Sequence, residues 1–417
     1  MKTRKILHLV ISLALLSSLA LNLFSCVMTV KAENLMNGVT PNEVAALDEL
    51  GEGNIAATDF ALRLFRASYE DGDNTLISPL SVLSALAMTA NGAEGDTLSQ
   101  METVFGMDRE QLNLYLYSYV NSLSEGEKYK LRLANSIWFT DDGRFTAGED
   151  FLQTNADYYG ADIYKTPFNN QTLRDINSWV NQNTDGMIPK ILDRIPEEAV
   201  MYLVNALSFE AEWSEIYKDY QVRNGHFTSA DGERQSAKMM YCNESRYLED
   251  DSAVGFIKLY KGSKYAFVAL LPNEGVSISD YLATLDGESL SAMLESPRRV
   301  TVQTAIPRFE VEYDVEMSSI LKNMGMTDAF DESLADLSSL GRHTDGNLYI
   351  SRVLHKTYIK VGERGTRAGA ATVVEVENES AAEPSEIKEV YLDRPFVYML
   401  VDCENSLPFF IGTVNEL

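Results

Sequence analysis

Glu363-Arg364-Gly365-Thr366-Arg367-Ala368-Gly369-Ala370-Ala371-Thr372-Val373-Val374-Glu375-Val376-Glu377-Asn378-Glu379-Ser380 is the stretch on which the reading of this chain turns. At the two-residue period of a strand, Thr366, Ala368, Ala370, Thr372, Val374, Val376 and Asn378 share one face, and none is charged. The opposite face, from Arg367 to Glu379, holds all the charges. This is the pattern of a half-buried strand, longer than the roughly five or six residues usual for one. Its flanks are those of a loop. Gly365 and small residues open it, and Ser380-Ala381-Ala382-Glu383-Pro384-Ser385-Glu386 closes it. Two readings follow: an ordinary edge strand with a loop after it, or a strand held in reserve that enters a sheet after a triggering event.

At the start of the chain, Lys2, Arg4 and Lys5 precede an apolar run from Ile6 to Phe24, the composition of an export signal. Two exits are written in it. Val30-Lys31-Ala32 is a small-residue cleavage site, whereas Leu23-Phe24-Ser25-Cys26 resembles the bacterial lipoprotein box, in which the cysteine is lipidated. Phe24 departs from that box, so the expected product is a secreted, extracellular protein with residues 1–32 removed; the alternative is a surface lipoprotein losing 1–25. Residues 33–44 read as a tether. No later segment reaches the roughly twenty apolar residues a membrane span needs. The mature chain keeps 31 Lys+Arg against 62 Asp+Glu, a formal charge of −31. Such a surface repels phosphate backbones, so no nucleic-acid partner is expected. Cys242 and Cys403 alone make no disulfide framework, and stability has to come from an ordinary core.

No repeat, low-complexity tract or linker divides residues 45–417, which are read as one domain. Helices are expected over Asn54–Ser68, from the Ser78-Pro79 cap to Asn91-Gly92, and over Arg109–Leu123, Ala147–Tyr158 and Leu173–Asn183. Asp142-Gly143 reads as a hairpin tip after a Leu131–Phe139 strand. Strands are expected over Met201–Phe209, Gly255–Tyr260, Tyr265–Leu271, Val300–Ile306, Leu348–Val361, Phe396–Val401 and Phe409–Val414. Helices first and strands later point to an α+β architecture.

Enzyme chemistry finds little to work with. His226, His343 and His355 are scattered, and no zinc, nucleophile-elbow or phosphate-loop motif is present. Gly51-Glu52-Gly53-Asn54-Ile55-Ala56 matches a dinucleotide pattern but lacks the strand that should precede it. No catalytic residue, metal or cofactor is expected.

Taken together, the motifs resemble the serpin family over nearly the whole mature chain. Asn74-Thr75-Leu76-Ile77-Ser78-Pro79-Leu80-Ser81 is similar to the segment opening the helix beneath the family's main sheet. Ile176-Asn177-Ser178-Trp179-Val180 and Leu203-Val204-Asn205-Ala206, with Phe209 and Trp213, follow. Pro307-Arg308-Phe309, Met324-Gly325-Met326, His355-Lys356, Asp393-Arg394-Pro395-Phe396 and Phe410-Ile411-Gly412 come after in the family's order. The resemblance implies three β-sheets, about eight or nine helices and an exposed reactive-centre loop near residues 363–390. Glu363, Gly365, Thr366, Arg367, Ala368, Gly369, Ala370, Ala371 and Thr372 would be its hinge. Ser78, Ser81, Asn205 and His355 match the polar shutter that governs opening of the sheet, and Trp213 matches the tryptophan where insertion begins.

By that resemblance the chain is a suicide-type inhibitor, not an enzyme, acting as a monomer. Its partner would be a target serine protease, held as a covalent acyl complex after the cleaved loop inserts into the main sheet. The alternative is a non-inhibitory serpin whose loop is a plain substrate. Arg367 stands where the family commonly has an acidic residue, on the outward parity. Counting through the loop from the hinge glutamate places the scissile bond at Glu379-Ser380, with Ala381 or Ala382 allowed by the longer tail. Between Arg367 and Lys388 there is no Lys, Arg, Phe, Tyr, Trp, Leu or Met. A trypsin-type or chymotrypsin-type pocket is offered no good ligand, which leaves elastase-like or subtilisin-like targets ahead of glutamyl ones.

Overall fold

The Ser78-Pro79 signal does open a helix. In the computed structural model, which describes residues 30–123, 126–141, 143, 145–196, 199–344, 347–366 and 386–417, the Ser78 side chain accepts the Ser81 N–H at the head of Pro79–Ala90. Proline at the first position loses only an N–H that no helical bond requires. Every residue of this helix is buried, because it runs behind the main sheet and packs on the strands Tyr129–Thr140, Met201–Glu212 and Leu407–Val414.

Seven strands form the main sheet in the order Glu33–Asn34, Asp162–Thr166, Tyr129–Thr140, Met201–Glu212, Gly365–Thr366, Arg352–Gly362 and Phe309–Glu316. The central strand Met201–Glu212 is apolar on both faces, as a doubly covered strand must be. Leu203, Leu207, Phe209 and Ala211 point into the large core shared with the second sheet; Tyr202, Val204 and Ala206 point into a smaller cluster closed by Ile176, Trp179 and Val180 of the helix Asn170–Asn183. That second sheet has nine strands, with Tyr265–Pro272, Phe396–Asp402 and Leu407–Val414 buried throughout. A two-stranded sheet pairs Phe145–Ala147 with Gly341–His343. With nine α-helices among the described residues, the architecture is the expected α+β one. On the helix Gly51–Ser68, Phe60 and Phe65 are fully buried, contributing about 1.5–3 kcal/mol each.

Three local expectations change. The hairpin expected around Asp142-Gly143 is not formed by the flanking strands: Phe145–Ala147 pairs with Gly341–His343 and not with Tyr129–Thr140, and Asp142 itself lies outside the described residues. Gly51-Glu52-Gly53 is the first turn of a helix, and Gly53 is there because a Cβ would run into the Tyr115 ring. The strand expected from Leu348 begins at Arg352. Residues 33–44 run against the body: Glu33 and Asn34 pair with Lys165 and Tyr164, and Asn42 N–H donates to Asp157 Oδ1 at 2.7 Å.

Candidate functional site

The main sheet has a slot in it. Arg352, Val353, Leu354 and His355 pair in parallel with Tyr202, Leu203, Val204 and Asn205, and there the direct pairing of these two long strands stops. Among the described residues, contact across the sheet resumes only where Gly365 and Thr366 stand between them. Thr366 is opposite Ala211 on one side and Val361 on the other, antiparallel to both; Gly365 faces Glu212 and Gly362. Between these points, no strand among the described residues stands between residues 206–210 and 356–360.

At the upper end the hinge is held by backbone. Trp213 N–H donates to Arg364 O at 2.8 Å, Trp213 Nε1 to Gly362 O at 2.8 Å, and Tyr217 N–H to Glu363 O at 3.1 Å. The Trp213 indole is fully buried and stacks on Tyr260 with ring centroids 4.4 Å apart. Tyr260 hydroxyl and Thr366 hydroxyl are hydrogen-bonded, so the first inserted residue has its one polar atom satisfied inside the core. Glu363 pairs with Arg308, and Arg364 lies 3.6 Å from Glu212. Gly365 makes the turn possible. Its φ is +149°, and a Cβ there would run into the Ala211 carbonyl. Gly365→Ala is therefore expected to cost about 2 kcal/mol or more of native-state stability, read from the urea transition of the uncleaved protein. An unchanged midpoint would mean that the hinge is not seated as described.

The lower end is closed by a polar cluster, every member of it buried. Ser78 N–H donates to His355 Nε2 (3.1 Å), while Asn205 Oδ1 receives His355 Nδ1 (2.7 Å) and Ser81 Oγ (2.9 Å). A backbone donor on Nε2 makes that nitrogen the acceptor, so the proton sits on Nδ1 and the ring is neutral. Burial pushes the His355 pKa down to about 3. Asn205 Nδ2 is buried with no hydrogen-bond partner among the described residues, which leaves the cluster one acceptor short.

The sign of the pH effect follows. Protonation of His355 is taken up by the opened or unfolded chain, near pKa 6.5, before the closed form, so its contribution is full above pH 6.5 and is lost as pH falls toward 3. From pH 7 to pH 5 the loss is about 2 kcal/mol. Wild type should lose that much more stability than His355→Gln over this interval; parallel curves would contradict the assignment.

The structure thus brings together Ser78, Ser81, Asn205 and His355 at one end of the slot, and Glu363, Gly365, Thr366 and Trp213 at the other. Arg367, Ala368, Gly369, Ala370, Ala371, Thr372, Glu379, Ser380 and Cys26 lie outside the described residues. Tyr260 was not foreseen: its only link to Thr366 is a hydrogen bond across 106 positions of sequence. Cys242 and Cys403 are free thiols, both pushed up by burial. Among the described residues no cluster of His, Cys, Asp and Glu could hold a metal ion, and no helix is long and apolar enough to cross a membrane.

The family model described as "Serpin (serine protease inhibitor)" matches residues 55–417. Leukocyte elastase inhibitor A of Mus musculus is 30% identical over 386 residues, covering 88% of this chain and 99% of its own. An uncharacterized serpin-like protein of Thermococcus kodakarensis is 28% identical over 364 residues, covering 86% and 84%. Among solved structures, the thermophilic serpin tengpin in its native state is 45% identical, with a TM-score of 0.89 over 93% of this chain and all of the other. Tengpin in its latent state, 44% identical, gives 0.78 over 90% and 100%.

Proposed function

Since the chain belongs to the serpin family, we propose that it is a suicide-type inhibitor of serine proteases whose loop, once cut, fills the slot in the main sheet. The observation that carries this is the placing of Gly365 and Thr366: the hinge already stands between the two strands that must part. Continuing that register sets Arg367 opposite Glu210 and Lys360, and Ala368 opposite Phe209 and Ile359. Ala370 then meets Leu207 and Thr357, and Thr372 reaches Asn205 and His355. Thr366 is on the core face with Ala211, so Ala368, Ala370 and Thr372 follow onto it, each small and uncharged. Thr372 also brings a hydroxyl oxygen to Asn205, whose Nδ2 has no acceptor. Arg367 comes out on the other face, beside Glu210, where a cation does no harm.

The chemistry is the protease's own. Its serine oxygen bonds to the carbonyl carbon of Glu379, the peptide bond to Ser380 breaks, and the new amine takes up a proton and remains on the C-terminal fragment, whose strands stay in the second sheet. Residues 367–376 then enter as an antiparallel strand between two parallel ones, adding backbone hydrogen bonds worth about 0.5–1.5 kcal/mol each. The four parallel pairs from Arg352 to His355 must open to admit the lower half, which is where the buried polar cluster acts as a latch. Deacylation fails because the protease has been carried away from the geometry its own site requires.

Glu375, Glu377 and Glu379 repel an acidic site, while Val376, Ser380, Ala381 and Ala382 suit a shallow apolar pocket, so an elastase-like or subtilisin-like target fits best. The mouse relative is named for an elastase. Export with removal of residues 1–32 completes the reading; a mature N-terminus at Glu33 rather than a lipid-bearing Cys26 would establish it by mass spectrometry. The functional test is titration. Added in increments to an elastase-type protease, the mature protein should abolish activity linearly and irreversibly, while trypsin keeps its activity. Full elastase activity after complete cleavage of the loop would make the protein a plain substrate. Stable trypsin complexes cut between residues 376 and 383 would overturn the specificity.

A further inference from the structure

Lys258 is the one lysine or arginine buried among the described residues. It lies on the strand Ala253–Leu259 with its side chain 2% exposed. Nζ donates to Glu244 Oε1 at 2.8 Å and approaches Cys242 Sγ at 3.6 Å. Burial pulls its pKa down, but Glu244 and Cys242 more than offset that and hold it above the usual lysine value. Taking an ammonium out of water is costly before its partner offsets any of it, and a methionine would fill the same space at no such cost. What the charge touches explains why it is there. Nζ sits 4.6 Å from the centroid of the Tyr217 ring and 5.4 Å from that of Trp213, within the range where a cation is held by an aromatic face. These two residues hold three consecutive hinge carbonyls: Trp213 those of Gly362 and Arg364, Tyr217 that of Glu363.

We propose that Lys258, held by Glu244, is a positioning residue for loop insertion: its ammonium fixes Trp213 and Tyr217, and through them the pivot about which the cut loop turns into the slot. Thr366 is on the sheet side of that pivot and keeps its neighbours when insertion proceeds, so the 362–364 turn is the fixed point of the motion. A pivot that wanders delays the first new pairs, opposite Glu210 and Lys360, and every delay lets water reach the acyl bond. Lys258 never meets the protease; its effect is on the division between trapping and release. This assignment rests on the inhibitory reading above.

The test is the number of inhibitor molecules consumed per elastase trapped, measured with the full mature chain at a temperature well below melting. Wild type is expected near one. Lys258→Met should raise the number at least about threefold, with the loop cut at the same bond and at the same rate. Because that variant leaves Glu244 unpaired and is expected to be less stable, the deciding protein is the double variant Lys258→Met with Glu244→Leu. Two apolar side chains in place of a buried ion pair restore packing, so its melting temperature should equal or exceed that of wild type. A raised consumption number in this stable double variant supports a positioning role. A wild-type number in it means the pair only holds the core together, and the assignment falls. If wild type itself traps no protease that cuts its loop, the inhibitory reading fails, and this assignment with it.

Discussion

Thr366→Arg is expected to be cut by the target protease as fast as wild type and to trap almost none of it, with adduct yield down by about a hundredfold. Thr366 is 1% exposed, seated between Ala211 and Val361 on the core face, with its hydroxyl on Tyr260. Among the described residues, what lies behind it is the aromatic cluster of Tyr260, Trp213 and Phe209, which offers a guanidinium no charge partner. Burying that ion unpaired costs several kcal/mol, so the arginine is expected to leave its seat in the intact chain and to be buried only as the loop inserts; about 3 kcal/mol on that barrier already gives a hundredfold shift in partition. The scissile bond is remote in sequence, so cleavage is untouched. Thr366→Ser keeps the hydroxyl and the size and should behave as wild type. An arginine variant with undiminished adduct yield would mean that Thr366 does not lead the insertion.

Cutting the loop of the uncomplexed protein with a small amount of a protease that acts between residues 376 and 383 should raise its melting temperature by roughly 20 °C or more. Among the described residues, no strand stands between residues 206–210 and 356–360, which flank the slot. Filling it adds hydrogen bonds on both sides at about 1 kcal/mol each, on the order of 10 kcal/mol in all, and a kilocalorie moves the transition of a large domain by about 2–4 °C. On the inhibitory reading, the uncut form persists because residues 352–355 and the Ser78, Ser81, Asn205 and His355 cluster hold the lower half closed, which is kinetic rather than thermodynamic stability. Nicked Thr366→Arg should lack most of the rise. Equal melting temperatures for cut and intact wild type would return the segment to an ordinary loop beside an edge.

Much of this was legible in the sequence, for reasons that can be traced to particular residues. The uncharged face from Thr366 to Asn378 is visible in sequence because strand parity is local, though only Thr366 of it lies among the described residues, and the Ser78-Pro79 start is visible because a helix cap is written in adjacent residues. The run Met201-Tyr202-Leu203-Val204 announces a strand covered on both faces. What stayed hidden depends on distant pairs. The sixteen-residue strand Arg234–Glu249 went unread because its two-residue rhythm changes phase partway along, at Met239 and Met240, which are both buried. The short helices Ile278–Thr284 and Gly287–Glu295 have too few turns to show a period, and Gly287 is there because Ile55 and Asp59 of another helix press against it. Within Phe256-Ile257-Lys258-Leu259, Lys258 reads as an outward-facing strand residue. Only the fold brings Glu244, Tyr217 and Trp213 around it. Asp142-Gly143 misled because turn chemistry says where the chain bends and not which strand it meets afterwards.

The central claim is that cleavage drives the loop into the slot before the acyl bond is hydrolysed, and denaturing electrophoresis tests it most directly. Mature protein and an elastase-type protease, mixed in near-equal amounts and boiled in detergent, should give one new band. Its mass should be that of the protease plus the chain up to Glu379, or to a residue within a few positions of it, with the C-terminal fragment released separately. Complete conversion to free cleaved chain and free protease, with no band that survives denaturation for any enzyme cutting between residues 376 and 383, would contradict the account.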